Sequence, residues 1–227
     1  MDKFFMKDLI LCKAPAPLSG RDCRITPIPS PHPSFPNSSL SPLVTPMILP
    51  LSYYGQPVLR KPAEPVTVFD DELRTLARDM IDTMHAESGI GLAGPQIGKS
   101  LRIFVMEIPP DMDENDQGGR ANPFLNGPLV VVNPKIRDLA PKTEVMEEGC
   151  LSIPDIRGNV TRPLSLTLDY QDLDGKPLSL KLSFLAARCA LHENDHLDGI
   201  LFLDHLSQVK RLAIKGKLRK LKEQFAS

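Results

Sequence analysis

No stretch of the chain approaches the roughly 18 uninterrupted apolar residues that a membrane-spanning helix needs, and the opening FFMKDLILC is broken by Lys7 and Asp8. Neither a spanning helix nor a secretory leader is expected. Cysteine is also scarce: Cys12, Cys23, Cys150 and Cys189 are the only four, with no CxxC pair among them. That spacing argues against a disulfide-stapled secreted scaffold and for a reducing compartment. The chain lacks a charge excess too, with 27 Lys plus Arg against 28 Asp plus Glu and a net charge of -1. Taken as a whole it does not have the basic surplus of a nucleic-acid binder. What is present is enough material for one substantial core, since 41% of the 227 residues are hydrophobic.

The first 46 residues stand apart. The run ITPIPSPHPSFPNSSLSPLVTP has neither helical nor alternating periodicity and reads as disordered, and no Asp or Glu occurs between Arg24 and Ala63. Two readings fit: an organellar transit peptide, which would place the protein in a plastid or mitochondrion, or an extension upstream of a start at Met47, which leaves a bacterial-type cytoplasmic protein. Globular composition begins at Met47. Three segments follow from this: residues 1–46 as the extension, 47–205 as a catalytic domain, and 206–227 as a basic C-terminal helix.

Within the domain, Leu73, Leu76, Ala77, Met80, Ile81 and Met84 recur at helical spacing behind the acidic Asp70, Asp71 and Glu72, predicting an amphipathic helix that ends near Ser88 and Gly89. A glycine-rich turn, GIGLAGPQIG, precedes the buried-strand pattern LRIFVMEI. Residues 107–128 read as an exposed loop. The segments LVVVNP, TEVMEE, LSLTLDYQDL and LSLKLSFL are strand candidates, the last two joined by the turn DGKP. The pattern turns helical from Ala186 to Leu197 and again from Leu206 onward. The expected fold is α+β: mostly antiparallel sheets packed around a central helix, with a helix at the C-terminus.

That central helix carries HENDH. His192 and His196, one turn apart, share a helix face and can share a metal ion, and Glu193 between them can reach water on that ion. A chain with 5 His would contain such a motif by chance about 0.005 times. A catalytic metal needs a third protein ligand. The long form HExxHxxGxxH fails, because Gly199 fits but Phe202 occupies the third-histidine position. Glu223 lies far off in the basic tail. Upstream, Cys150 closes a predicted strand, where it is either a thiolate facing the helix or a small buried hydrophobe. The glycine-rich turn has no Lys at the P-loop position, and Pro95 removes a donor, so a phosphate cradle is a poor fit.

Three segments in order, GIGLAGPQIG (89–98), EGCLSIP (148–154) and HENDHLDG (192–199), resemble the signature motifs of peptide deformylases. That family removes the formyl group from the initiator methionine of nascent chains with a divalent metal, ferrous iron in many members and zinc or nickel in others. The resemblance implies Cys150, His192 and His196 as ligands and Glu193 as the acid/base, with Gln96 and the backbone N–H of Leu151 forming the oxyanion hole. The sequence departs from the usual motifs at Gly94, Leu191 and His205. For the formyl-methionyl peptide, Ile90 and Gly91 would pair with its backbone, while Ile90, Leu185 and Cys189 would line a slot for its first side chain. Of Arg157 and Arg162, one would orient a substrate carbonyl and the other pair with Asp195 or Glu148, with solvated, exposed arginines as the competing reading; Arg157 and Glu148 are the candidates on the substrate side. Deformylases are similar to one another in meeting the ribosome through a basic tail, and from Leu206 onward this chain has 7 Lys plus Arg against one Glu. A zinc peptidase and a non-catalytic metal-binding or ribosome-associated module are the competing readings.

Overall fold

The computed structural model describes residues 47–225. The expectations for residues 1–46, Cys12 and Cys23 included, lie outside the described residues. Seven strands and three α-helices follow in the order α1 (Asp71–Ala86), β1 (Gly91–Ala93), β2 (Ile103–Met106), β3 (Leu129–Arg137), β4 (Thr143–Cys150), β5 (Ile153–Pro163), β6 (Ser165–Gln171), β7 (Pro177–Ser183), α2 (Phe184–Leu197) and α3 (Gln208–Phe225). Every named strand pairing is antiparallel. One sheet has the order β1-β2-β3-β6-β7, and β4 and β5 form a second. The fold is α+β. Among the described residues no helix is long and apolar enough to cross a membrane.

The position of α2 follows from β2, whose four residues are all buried. Ile103 and Val105 join the cluster around Leu73, Ala77, Met80 and Met84 of α1. Phe104 and Met106 point the other way, into the cluster containing Leu185, Ala186, Ala187 and Ala190 of α2. A strand covered by a helix on each face must be apolar at every position, which is why this run is continuous and not alternating. Alanines on α2 let it lie close to β1 and β2. At Gly91 the approach is so close that a Cβ would collide with the Glu193 carboxylate and come within 2.9 Å of Cys189 Sγ. Helix α1 is capped by Asp70, whose carboxylate accepts from Leu73 N–H at 3.0 Å, and it ends at Ala86, two residues before the expected Ser88.

Two regions differ from the sequence expectation. β5 has no apolar alternation in its sequence, yet Ile156, Gly158, Val160 and Arg162 alternate inward. Two of those inward positions are not apolar. Gly158 is small because a Cβ there would stand 2.6 Å from Leu206 Cδ2, and Arg162 is buried by ion pairing. The segment 107–128 is irregular, as expected, but it is not simply exposed. Asp113 and Asn122 are 1% and 0% accessible. The Asp113 carboxylate accepts from Asn122 N–H at 3.0 Å, from Asn122 Nδ2 at 2.7 Å and from Arg120 Nε at 3.1 Å. Asn122 then exchanges two bonds with the Ser183 backbone, 3.1 and 3.0 Å long, immediately before α2. The loop therefore anchors the start of the central helix.

Replacing Asn122 with Ala leaves the Asp113 carboxylate and the Ser183 backbone short of partners in a buried place. Asn122→Ala should lower the unfolding free energy by about 2–3 kcal/mol in urea denaturation, against about 0.5 kcal/mol or less for an exposed control such as Gln117→Ala.

Candidate metal centre

Two backbone devices converge on one point. α2 presents His192 and His196 one turn apart, with ring centroids 5.1 Å from each other. β4 ends at Cys150, where the β4–β5 register shifts between Glu148 and Cys150, an irregularity that re-aims the side chains at the end of the strand. The ligand atoms of Cys150, His192 and His196 all lie within 4.8 Å of one another, and all three residues are buried. His196 Nε2 stands 3.2 Å from Cys150 Sγ. A thiolate and an imidazole bound to one tetrahedral ion are about 3.5 Å apart, from bond lengths of about 2.3 and 2.0–2.1 Å. One soft and two borderline donors, buried and convergent, fit a divalent transition-metal ion.

The support behind these three side chains is electrostatic. Glu148 is fully buried, and its carboxylate meets His192 Nδ1 at 3.0 Å, which leaves Nε2 as the nitrogen for the ion. Arg162 grips the same carboxylate at both oxygens, 2.9 and 3.0 Å, and Arg188 Nη1 reaches it at 2.8 Å. Burial alone would raise the pKa of Glu148, but hydrogen bonds from His192 and Arg162 outweigh it and hold the group well below the ordinary carboxylate range. Arg162 continues to Asp195 at 2.7 Å, and Asp195 meets His205 Nε2 at 2.8 Å. Burial, with the neighbouring His192, pushes His196 down to about 4, so at neutral pH its ring is uncharged and offers a lone pair. Glu193 is raised, chiefly by burial. That shift moves a carboxyl toward the range in which it can both take and return a proton.

Gln96 lies in the one-turn 3-10 helix Gly94–Ile97, fully buried. Its Oε1 accepts from Ala93 N–H at 2.7 Å, and this orients Nε2 toward Cys150 Sγ at 3.4 Å. Leu151 begins the turn between β4 and β5, beside the cysteine. Ile90, Leu185 and Cys189 share one apolar cluster, with Cys189 Sγ 3.4 Å from Ile90 O. Gly91 borders Glu193. Glu148 lies behind His192, locked in its ion pairs. Arg157 sits apart from the ligands, 3.8 Å from Glu147, on the rim of a cavity of about 240 Å³ that also touches Cys150 and Leu151. The position where a third histidine would have stood, Phe202, stacks on His192 at 6.2 Å between centroids.

Sequence reading passed over Arg188. Its signal was available: a guanidinium one turn before His192 on a helix face otherwise made of Ala, Cys and Leu must find a partner or cost several kcal/mol.

The family model described as polypeptide deformylase matches residues 48–212. The peptide deformylase of Brucella suis is 42% identical over 180 residues, 79% of this chain and 97% of its own length. The crystal structure of peptide deformylase from Thermotoga maritima aligns with 41% identity and a TM-score of 0.63, covering 70% of this chain and 98% of that one. A structure of Arabidopsis thaliana peptide deformylase 1B aligns with 34% identity and a TM-score of 0.68, covering 78% of this chain and 91% of that one. With these matches spanning the glycine-rich turn, the Cys150 strand and the HENDH helix together, the chain belongs to the peptide deformylase family.

Proposed function

We propose that this metal-dependent hydrolase removes the formyl group from the initiator formyl-methionine of nascent polypeptides and releases formate. The observation that carries the proposal is the convergence of Cys150, His192 and His196 within 4.8 Å beside a buried Glu193. Those three side chains would hold a divalent ion, which when bound would lower the pKa of water toward neutrality and so make attack on an amide feasible there. Glu193 takes the proton from the attacking water and returns it to the departing amine. Gln96 Nε2 and the Leu151 N–H donate to the formyl oxygen as negative charge gathers on it. Ile90 and Gly91 pair with the backbone of the extended peptide, whose methionine side chain enters a slot among Ile90, Leu185 and Cys189. Arg157, on the rim, orients a carbonyl further along. Glu148 fixes His192 and contributes to binding through that ligand alone.

Ferrous iron is the proposed native ion, with zinc or nickel as alternatives. The compartment follows from residues 1–46: cytoplasmic if they are an upstream extension, plastid or mitochondrial if they are a transit peptide. The proposed macromolecular partner is the ribosome, through α3. Exposed Val209 and Leu212 lie among Lys210, Arg211 and Lys215 on that helix, a combination suited to a surface with both phosphate and apolar patches.

Glu193→Gln should retain fold and metal content while formate release falls by at least about 10²-fold, since an amide cannot accept the water proton. A variant keeping more than about a tenth of the parent rate would contradict the assignment. If iron is native, protein purified without oxygen should lose activity on exposure to air, whereas an air-stable preparation that contains zinc would decide for zinc. Changing Lys210, Arg211 and Lys215 together to Ala should leave hydrolysis of small formyl peptides intact and weaken co-sedimentation with ribosomes. The difference should shrink as salt is added. Equal pelleting of variant and parent at every salt concentration would remove the ribosome from the account.

A further inference from the structure

Residues 49–55 belong to no helix or strand, yet they are tied down at short intervals. Leu49 N–H donates to Thr83 Oγ1 on α1 at 2.9 Å. Ser52 N–H donates to Gln96 O at 2.7 Å, and Tyr54 N–H donates to Ser152 O at 2.9 Å. This strap thus bridges the two turns that carry the proposed oxyanion donors: the Gly94–Ile97 turn with the Gln96 amide, and the Leu151–Ser152 turn with the Leu151 N–H. The strands flanking those turns belong to different sheets, and the strap adds to the direct 3.4 Å contact of Gln96 Nε2 with Cys150 Sγ.

The other side of the strap is held by α3. The Tyr53 ring stacks on Phe225, with centroids 4.0 Å apart and planes 19° from parallel. Gly55, at φ +110°, lies so close to the helix that a Cβ there would come within 2.7 Å of Lys222 Cγ. The same aromatic pair borders the cavity of about 240 Å³ that reaches Cys150 and Leu151. The greater part of α3, from residue 213, lies beyond the stretch 48–212 that matches the family model. The contact therefore joins a segment outside the family match to the region around the catalytic groups.

We propose that Tyr53 and Phe225 are positioning residues, whose stack fixes the strap and through it the separation of the two oxyanion donors. The inference rests on the roles given above to Gln96 and Leu151. Donors preorganised for developing charge act within a few tenths of an ångström, so a loosened strap degrades stabilisation of the transition state more than binding of the ground state. The loss should appear in kcat.

The test uses the full-length metal-loaded protein, with Phe225→Ala and Tyr53→Ala compared with Phe225→Tyr, which keeps a ring. Kinetics on a formyl-methionyl dipeptide are measured together with metal content and amide hydrogen exchange at Ser52 and Tyr54. The proposal expects kcat to fall on the order of tenfold in both alanine variants, with KM within about twofold of the parent. Metal content should be unchanged, exchange at both amides faster, and Phe225→Tyr close to the parent. An unchanged kcat, a loss of kcat that follows loss of metal, or unchanged exchange at Ser52 and Tyr54 would overturn it. If the parent itself releases no formate, the deformylase reading fails, and the exchange data still decide whether α3 holds the strap.

Discussion

One buried carboxylate organises the centre of this protein. Glu148 joins the end of β4 to α2 through His192 and Arg188, and joins β4 to β5 through Arg162. A lone carboxylate at that depth would protonate or unfold its surroundings; three cationic or polarised partners make its charge tolerable. The consequence is geometric. Cys150, two residues further along β4, is delivered to the same helix that carries His192 and His196, and the orientation of His192 is set by the carboxylate behind it. Breaking one member of such a cluster leaves uncompensated charge, typically at a cost of about 3–5 kcal/mol. The ligand arrangement and the local stability therefore have the same source.

The second constraint is the thinness of the layer between α2 and the sheet. β2 is enclosed by α1 on one face and α2 on the other, and Gly91 permits Glu193 to lie against β1. A carboxyl pressed against backbone in this way is screened from water, and that of Glu193 is displaced upward while Glu148, also buried, is displaced downward. Burial acts on both; at Glu148 the hydrogen bonds from His192 and Arg162 outweigh it. Two glutamates in one site are thus displaced in opposite directions, which suits the one to the proposed proton transfer and the other to fixed negative charge.

Much of this was legible in the sequence wherever the code is local. The i, i+4 histidine pair, the amphipathic stripe of α1, the β6–β7 hairpin at DGKP and the apolar run of β2 each state their structure within a few residues. Cys150 required the resemblance of three ordered motifs, because its partner helix is remote in sequence. β5 was hidden because a glycine accommodating Leu206 and an arginine neutralised by Glu148 occupy its inward positions, so burial there is not apolar. The Asp113–Asn122 anchor and the strap at residues 49–55 were illegible for a related reason: side-chain-to-backbone and backbone hydrogen bonds in irregular chain hold them, and these leave no periodicity.

The central claim is that Cys150, His192 and His196 jointly hold the ion that makes this chain a hydrolase. X-ray absorption at the metal edge of protein purified without oxygen tests it most directly. The account predicts one sulfur neighbour at about 2.3 Å together with nitrogen neighbours at about 2.0–2.1 Å. A spectrum requiring only nitrogen and oxygen neighbours would contradict it, for Cys150 would then be a buried hydrophobe and the ion would be held elsewhere.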